Sequence, residues 1–475
     1  MTFHIVADST QDNAWLDYTL DLITEVLCLA APIRRIRPED FSADMPALFY
    51  GVNPPSPGAL FLPRLDATEP SSLRRVRIQC GRECLEEVLI YEAAMETSGR
   101  VDLLRAVFLY VSLREEWLHE ARKGPIHSYS LALPTDPARF DRPFANLLIL
   151  AFKEMVKSSF PNALPSEERQ PAIYLSHDVD AIQKAPINRC KESAFRFINA
   201  GRHIFQGRLT TGLHCGLSGL RMLCSKSDWF GLEAIAEMEY RHDLRSTFNI
   251  FAGLRPVPLA RHVISRIFDP AYDPRACTNL VAVLRKIAAD MHEIGMHFGF
   301  DSWRNACCMT REKHVLETLL MTGPIVSSRQ HWLRFSLSDT WHDLWASGIQ
   351  VDTTLGFNDR PGFRAGLAVS FHPYDHASGR AHPIKVVPMA LMDTHLFHYS
   401  NFDVVRRRQV IERLLAEVKY VHGEAGIIWH THVFSSDHKW DLEYHHLLDL
   451  MNKLGLHARL PNQIASGERL CTPLD

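Results

Sequence analysis

Residues 172–180 read Ala-Ile-Tyr-Leu-Ser-His-Asp-Val-Asp, an apolar run that ends in two carboxylates. The turn residues before it and the run's short length predict a buried strand over 172–177. Side chains alternate along an extended chain, so Asp178 and Asp180 can point the same way. Two carboxylates on one side of a strand end repel each other unless a divalent ion or a held proton compensates them. A strand-end turn with an N-capping Asp is the plainer alternative.

Working outward, residues 246–251, 294–297 and 426–430 also read as short strands. Helical stretches over 279–293 and about 440–454 lie among them. Strands alternating with helices imply βα units around a parallel sheet or barrel. In such folds the C-terminal ends of the strands build the site. Three of these four strands end in His: His177, His297 and His430. Asp301 follows His297 at i+4 and shares a face with it if the segment turns helical. With a carboxylate from the first strand they form a mixed N/O set suited to Zn²⁺ and some other divalent ions. His430 and His432 leave the last strand at i, i+2, and one of them can carry a proton at neutral pH. Surface packing is the alternative for this pair.

The chain has 475 residues, and 22 of its 25 histidines lie beyond residue 170. Three prolines and a short charged run over 159–171 mark a domain edge. Before it, helices are expected over 13–29, 81–97, 101–117 and 143–157, with short strands within 46–63. Arg114-Glu115-Glu116-Trp117 reads as a solvated helix end. A net charge of −3 gives no electrostatic footprint for nucleic acid. No apolar run is long enough to span a membrane, and the first residues carry no export signal, so a cytoplasmic location is expected. Ten scattered cysteines without a C-x-x-C are expected to stay as thiols. Residues 184–226 carry eight Lys/Arg and one Glu and look helical. They fit a solvated helical insertion or a basic face that makes peripheral contact with an anionic membrane.

The order of these motifs resembles the polysaccharide deacetylases with a NodB-type domain, the carbohydrate esterases of the fourth family. The nearer resemblance is to a longer-chained subgroup. It is carried by E-I-G-x-H-x-x-x-D-S at 293–302, R-Q-H-x-L-R-F at 329–335 and D-x-T-L-G-F at 352–357, then G-F-R-A-G at 362–366 and P-x-x-L-M-D at 388–393. The match runs from about 172 to 455, and the N-terminal region is similar to the uncharacterised domain that precedes this subgroup's catalytic domain. The resemblance implies an α/β fold: a distorted (β/α)7-type barrel over 171–475 after a smaller α+β domain over 1–160. It implies a metal-dependent hydrolase that removes N-acetyl groups from an amino sugar, polymeric or linked to a nucleotide or lipid carrier. Asp178 would be the general base and His430 the general acid. Asp180, His297 and Asp301 would hold the metal, most simply Zn²⁺. Arg329 and His331 resemble the motif that braces the base. Asp352 and Arg364 are candidates for an ion pair orienting His430 or the sugar, and His432 for a supporting donor.

One departure stands out. The wider family has H-x-x-x-H, and here the second His is Asp301. A barrel that binds saccharide without turnover is therefore the alternative, in which Ser302 would help fill a metal-free sugar site. An amidohydrolase-type barrel fits poorly, because its H-x-H comes at the first strand, whereas His430 and His432 come at the last.

Overall fold

The computed structural model describes the chain except residues 1, 9–12, 52–53, 66–68, 71, 82–83, 126–135, 166, 254–267, 401, 469–470 and 473–475, and the side chains of 168, 471 and 472. The opening motif is a strand, β1 (Ala172–Val179), buried at every position. Strands covered on both faces read as near-continuous apolar runs, which is why no clean alternation appears in it. Seven more strands join its sheet: β2 (Thr247–Ile250), β3 (Glu293–Phe298), β4 (Ser327–Gln330), β5 (Val351–Asp352), β6 (Lys385–Val386), β7 (Met389–Met392) and β8 (Glu424–Ile428). Their order is β6-β5-β4-β3-β2-β1-β8-β7, and each pairing is parallel. A short strand, His457–Ala458, also pairs with β1. The sheet curls into a half-barrel, and its end strands β6 and β7 do not pair with one another among the described residues. Helices Thr278–Ala289, Ala306–Leu320, Val404–Tyr420 and Asp441–Leu454 lie on the connections.

Register carries the site. Ser176 stands beside Thr247 and Asp178 beside Asn249. Asn249 in turn stands beside Gly295, and His297 beside Arg329. The polar strand ends therefore gather at one rim of the sheet.

The N-terminal region holds a four-stranded parallel sheet, an antiparallel hairpin of Leu73–Gln79 with Leu85–Tyr91, and the helices Ala14–Val26, Leu103–Val111, Arg114–Lys123 and Phe144–Ser159. Two expectations are corrected here. The helix expected over 81–97 is mainly a strand, because Val88, Ile90 and Tyr91 pair across to Leu73–Val76. The helix expected over 101–117 breaks at Leu113, whose φ of 52° lies in the left-handed region.

The Arg-Glu-Glu-Trp stretch is not a solvated helix end. Glu116 is buried and pairs with Arg364, whose Nε lies 3.1 Å from Glu116 Oε2. Glu115 pairs with Arg139. The rest of the G-F-R-A-G motif docks the same region. Phe363 N–H donates to Phe140 O at 2.8 Å, and Ala145 N–H donates to Gly366 O at 2.7 Å. Gly366 has a φ of 60°, and any Cβ there would strike the Tyr110 ring. Apolar packing is continuous across this seam, since one cluster of buried side chains runs from Phe3 to Leu456. Cys28 is disulfide-bonded, so the expectation that all ten cysteines stay as thiols does not stand. Eight other cysteines are free among the described residues.

Removing one partner of a buried ion pair strands the other charge. Glu116→Ala is therefore expected to cost ~3–5 kcal/mol in denaturant unfolding. Asp17→Ala, which breaks the exposed pair with Arg35, should cost no more than about 1 kcal/mol.

Candidate functional site

Asp178 closes β1 and is buried. Its Oδ1 accepts from Asn249 Nδ2 and from Arg329 Nη1, each at 2.9 Å. Burial alone would raise its pKa, but the Arg329 charge, with His297 and His430, more than offsets this and holds it below the ordinary carboxylate value. Arg329 reaches it from β4, also donating to Ser176 Oγ at 2.9 Å and Thr353 O at 3.2 Å. Asn249 can lie flat across β3 because residue 295 is glycine. A Cβ there would collide with Asn249 Oδ1.

Asp180, just past β1, faces three imidazoles. Its Oδ1 lies 3.2 Å from His297 Nε2 and 3.7 Å from His331 Nε2, and its Oδ2 lies 3.6 Å from His430 Nε2. His297 Nδ1 lies 3.1 Å from Arg329 O. That carbonyl can only accept, so Nδ1 carries a hydrogen, and loss of the Nε2 proton would leave the Nε2 lone pair free for a metal ion beside Asp180. Burial drives the His331 pKa down to about 3 despite the pull of Asp180, so this ring is neutral, whereas at His297 Asp178 and Asp180 outweigh burial and push the pKa up. The Asp180 carboxyl is held well below its usual range, burial being outweighed by the histidines around it.

One donor atom from each of Asp180, His297 and His331 lies within 4.8 Å of the others. Asp180 Oδ1 is buried and has no hydrogen-bond partner. Ligands ~2.0–2.1 Å from a tetrahedral ion stand roughly 3.3 Å apart. The separations at Asp180 are close to that, and two imidazoles with one carboxylate are a donor set that a divalent ion accepts.

His430 follows β8. Asp393, at the end of the neighbouring β7, accepts from its Nδ1 at 2.9 Å and from its backbone N–H at 2.8 Å. Burial would lower the His430 pKa, but Asp393 first, then Asp180 and Asp178, push it up to about 10. The ring is therefore a cation with an Nε2–H directed at the acidic group. Asp178, Asp180, His297, His331 and His430 all line one cavity of about 550 Å³. Phe195, Trp332, Tyr399 and Trp440 line it as well. Trp332 and Leu333 both have left-handed backbone, turning the chain sharply after His331.

The remaining expected residues lie elsewhere. Asp301 is not beside Asp180: it sits in a turn, 39% exposed, with Oδ1 3.0 Å from Arg334 Nη1. Ser302 is buried and donates to Glu312. Asp352 and Arg364 do not form the expected pair. Asp352 accepts from Trp341 Nε1 at 3.0 Å and from Thr354, while Arg364 serves the seam. His432 belongs to a neighbouring group with Glu192 and His438. Within it, His438 uses both nitrogens, on Ser435 Oγ at 3.1 Å and Glu192 Oε2 at 3.3 Å. Burial, with the His438 charge, brings His432 down to about 4, leaving it neutral. His177 is a core residue held by Trp429 O and Glu239. Asp393 had no assigned role in the sequence, although it closes the P-x-x-L-M-D motif.

No protein-family model matches this chain, and a search of curated proteins found no match. Among solved structures, a candidate polysaccharide deacetylase from Mycobacterium smegmatis is similar at 16% identity and a TM-score of 0.32, over 62% of this chain and 94% of that one. A polysaccharide deacetylase from Bacillus cereus is similar at 10% identity and a TM-score of 0.30, over the same shares. Agd3, described as a novel carbohydrate deacetylase, is similar at 8% identity and a TM-score of 0.32, over 91% of this chain and 78% of that one. Similarity of this size decides nothing about activity.

An opposite charge at hydrogen-bond distance moves a pKa by about 1–3 units. In Asp393→Asn protein the His430 ring is therefore expected to titrate lower than in the wild type by about that much. NMR titration of the ring protons reads this directly, and an unchanged pKa would mean that Asp393 does not hold the cation.

Proposed function

We propose that this chain is a metal-dependent hydrolase that removes an acetyl group from the nitrogen of an amino sugar. The observation that carries this reading is one cavity in which three kinds of group meet. They are a carboxylate locked by Arg329, the donor trio of Asp180, His297 and His331, and an imidazolium locked by Asp393. Amide hydrolysis needs these parts: a proton acceptor for water, a sink for negative charge at the carbonyl oxygen, and a proton for the leaving amine.

Asp178 is the acceptor in this scheme. Arg329 and Asn249 fix Oδ1, keeping the carboxylate ionised and in one orientation. Asp180, His297 and His331 would hold a divalent ion, Zn²⁺ being the simplest choice for that donor set. When bound, such an ion polarises the carbonyl and makes water acidic enough to react near neutral pH. His430 gives its Nε2 proton to the departing nitrogen, while Asp393 retains the ring orientation through Nδ1. The aromatic side chains of the cavity wall offer flat apolar faces of the kind that small-molecule sites use. A saccharide-binding barrel without turnover drew its support from Asp301. With His331 as the third donor, that support falls away.

Incubation with a panel of N-acetylated amino sugars, free, polymeric, nucleotide-linked and lipid-linked, should release acetate from at least one of them. Chelation should abolish the release, and Zn²⁺ should restore it. Asp178→Asn and His430→Ala are each expected to lower kcat by about 10²–10⁴-fold. His331→Ala should weaken metal binding in calorimetry, whereas Asp301→Ala should leave it unchanged. Metal-replete protein that releases no acetate from any member of the panel would refute the proposal.

A further inference from the structure

Between β1 and β2, ahead of the helix Leu232–Arg241, the chain forms a hairpin of two helices, Pro186–Phe205 and Leu209–Cys224. They pack on each other through small residues. Gly212 lies against Ile204, Gly219 against the Phe197 ring, and Ser193 Oγ donates to Gly219 O at 3.0 Å. With glycine filling the inner side, the large apolar side chains of the second helix face outward. Leu209, Leu213, Leu217 and Leu220 recur at three- and four-residue spacing and are 55–66% exposed, and Phe205 at the tip is 98% exposed. Nine of the twenty exposed large hydrophobic side chains among the described residues belong to this hairpin. No described helix is long and apolar enough to cross a membrane.

Charge identifies what covers this face. The segment 184–226 carries eight Lys/Arg against one Glu in a chain whose net charge is −3. Arg202, Arg208, Arg221 and Lys226 are exposed around the apolar stripe. A second copy would bring the same positive excess against it, which like-charge repulsion opposes. An anionic bilayer supplies both things the face lacks, an apolar layer and a bed of phosphates. The first helix of the hairpin also borders the cavity. Ile198, on the first helix, lines it together with exposed Trp332 and Tyr399.

We infer that the hairpin is a membrane-docking element: its leucines and Phe205 enter the interface of an anionic bilayer, its arginines meet the lipid phosphates, and the cavity is held at the bilayer surface. The inference does not depend on the hydrolytic reading, because docking is measured without any substrate.

The full chain is to be co-sedimented with vesicles of phosphatidylcholine alone and of phosphatidylcholine mixed with phosphatidylglycerol. Binding is expected to the mixed vesicles, weakened by added salt, with little to phosphatidylcholine alone. The double variant Leu213→Glu/Leu217→Glu should partition at least about tenfold less. Both positions are exposed, so its thermal unfolding should match the wild type. Arg202→Glu/Arg208→Glu should lose affinity for the anionic vesicles. Wild-type protein that ignores anionic vesicles, or a Leu213→Glu/Leu217→Glu protein that binds like the wild type, overturns the inference. A lipid-free dimer dispersed by the same double substitution would assign the face to a second copy and overturn it too.

Discussion

A guanidinium sealed from water beside a sealed carboxylate organises the centre of this molecule. Arg329 leaves β4, reaches beneath the rim of the sheet, and ends on Asp178 of β1 at 2.9 Å. Neither charge has solvent to fall back on, so each is tolerable only because the other is there. The arrangement constrains its neighbours in turn. Ser176 and Thr353 take two further guanidinium hydrogens. Asn249 must lie across the sheet, and residue 295 must have no side chain. The Arg329 carbonyl is used as well, since it fixes the tautomer of His297. One residue thus orients an acid group through its side chain and an imidazole through its backbone.

The electrostatics bring opposite charges face to face at one rim, with His430 Nε2 3.6 Å from Asp180 Oδ2. On one side Asp178 and Asp180 are held anionic, although both are enclosed. On the other, Asp393 keeps His430 cationic. Groups with opposed proton demands, pressed into one cavity by a shared rim, are what a reaction with both a proton acceptor and a proton donor requires. His432, two residues along, is neutral because burial, with His438 beside it, outweighs the pull of Glu192 and Asp180. The contrast within one H-x-H pair shows that neighbours, and not residue type, decide the protonation state.

Much of this was legible in the sequence because it is local. Asp178, Asp180, His297 and His430 each end a strand, and parallel strands bring such ends to one rim. What escaped was non-local. Asp301 satisfies an i, i+4 rule only if the chain after β3 is helical, but it turns there and the next helix starts at Ala306. His331 instead arrives from β4, two residues beyond the Arg329 that stands beside His297. Asp393 meets His430 because β7 and β8 are neighbours in register. No spacing along the chain announces either contact. The N-terminal hairpin escaped for another reason: a short apolar run suits a strand or a buried helix equally, and pairing decides between them.

The seam between the two halves of the chain has a consequence for how such a protein can change. Glu116 and Arg364 are ionised interior groups whose counter-charges come from opposite sides of the linker. The Tyr110 ring and Gly366 fit only as a couple. A half transplanted onto another scaffold would carry an unanswered charge on the surface it must bury. A cut within 159–171, easy as it looks from the sequence, would therefore leave each piece with a buried charge and no partner for it.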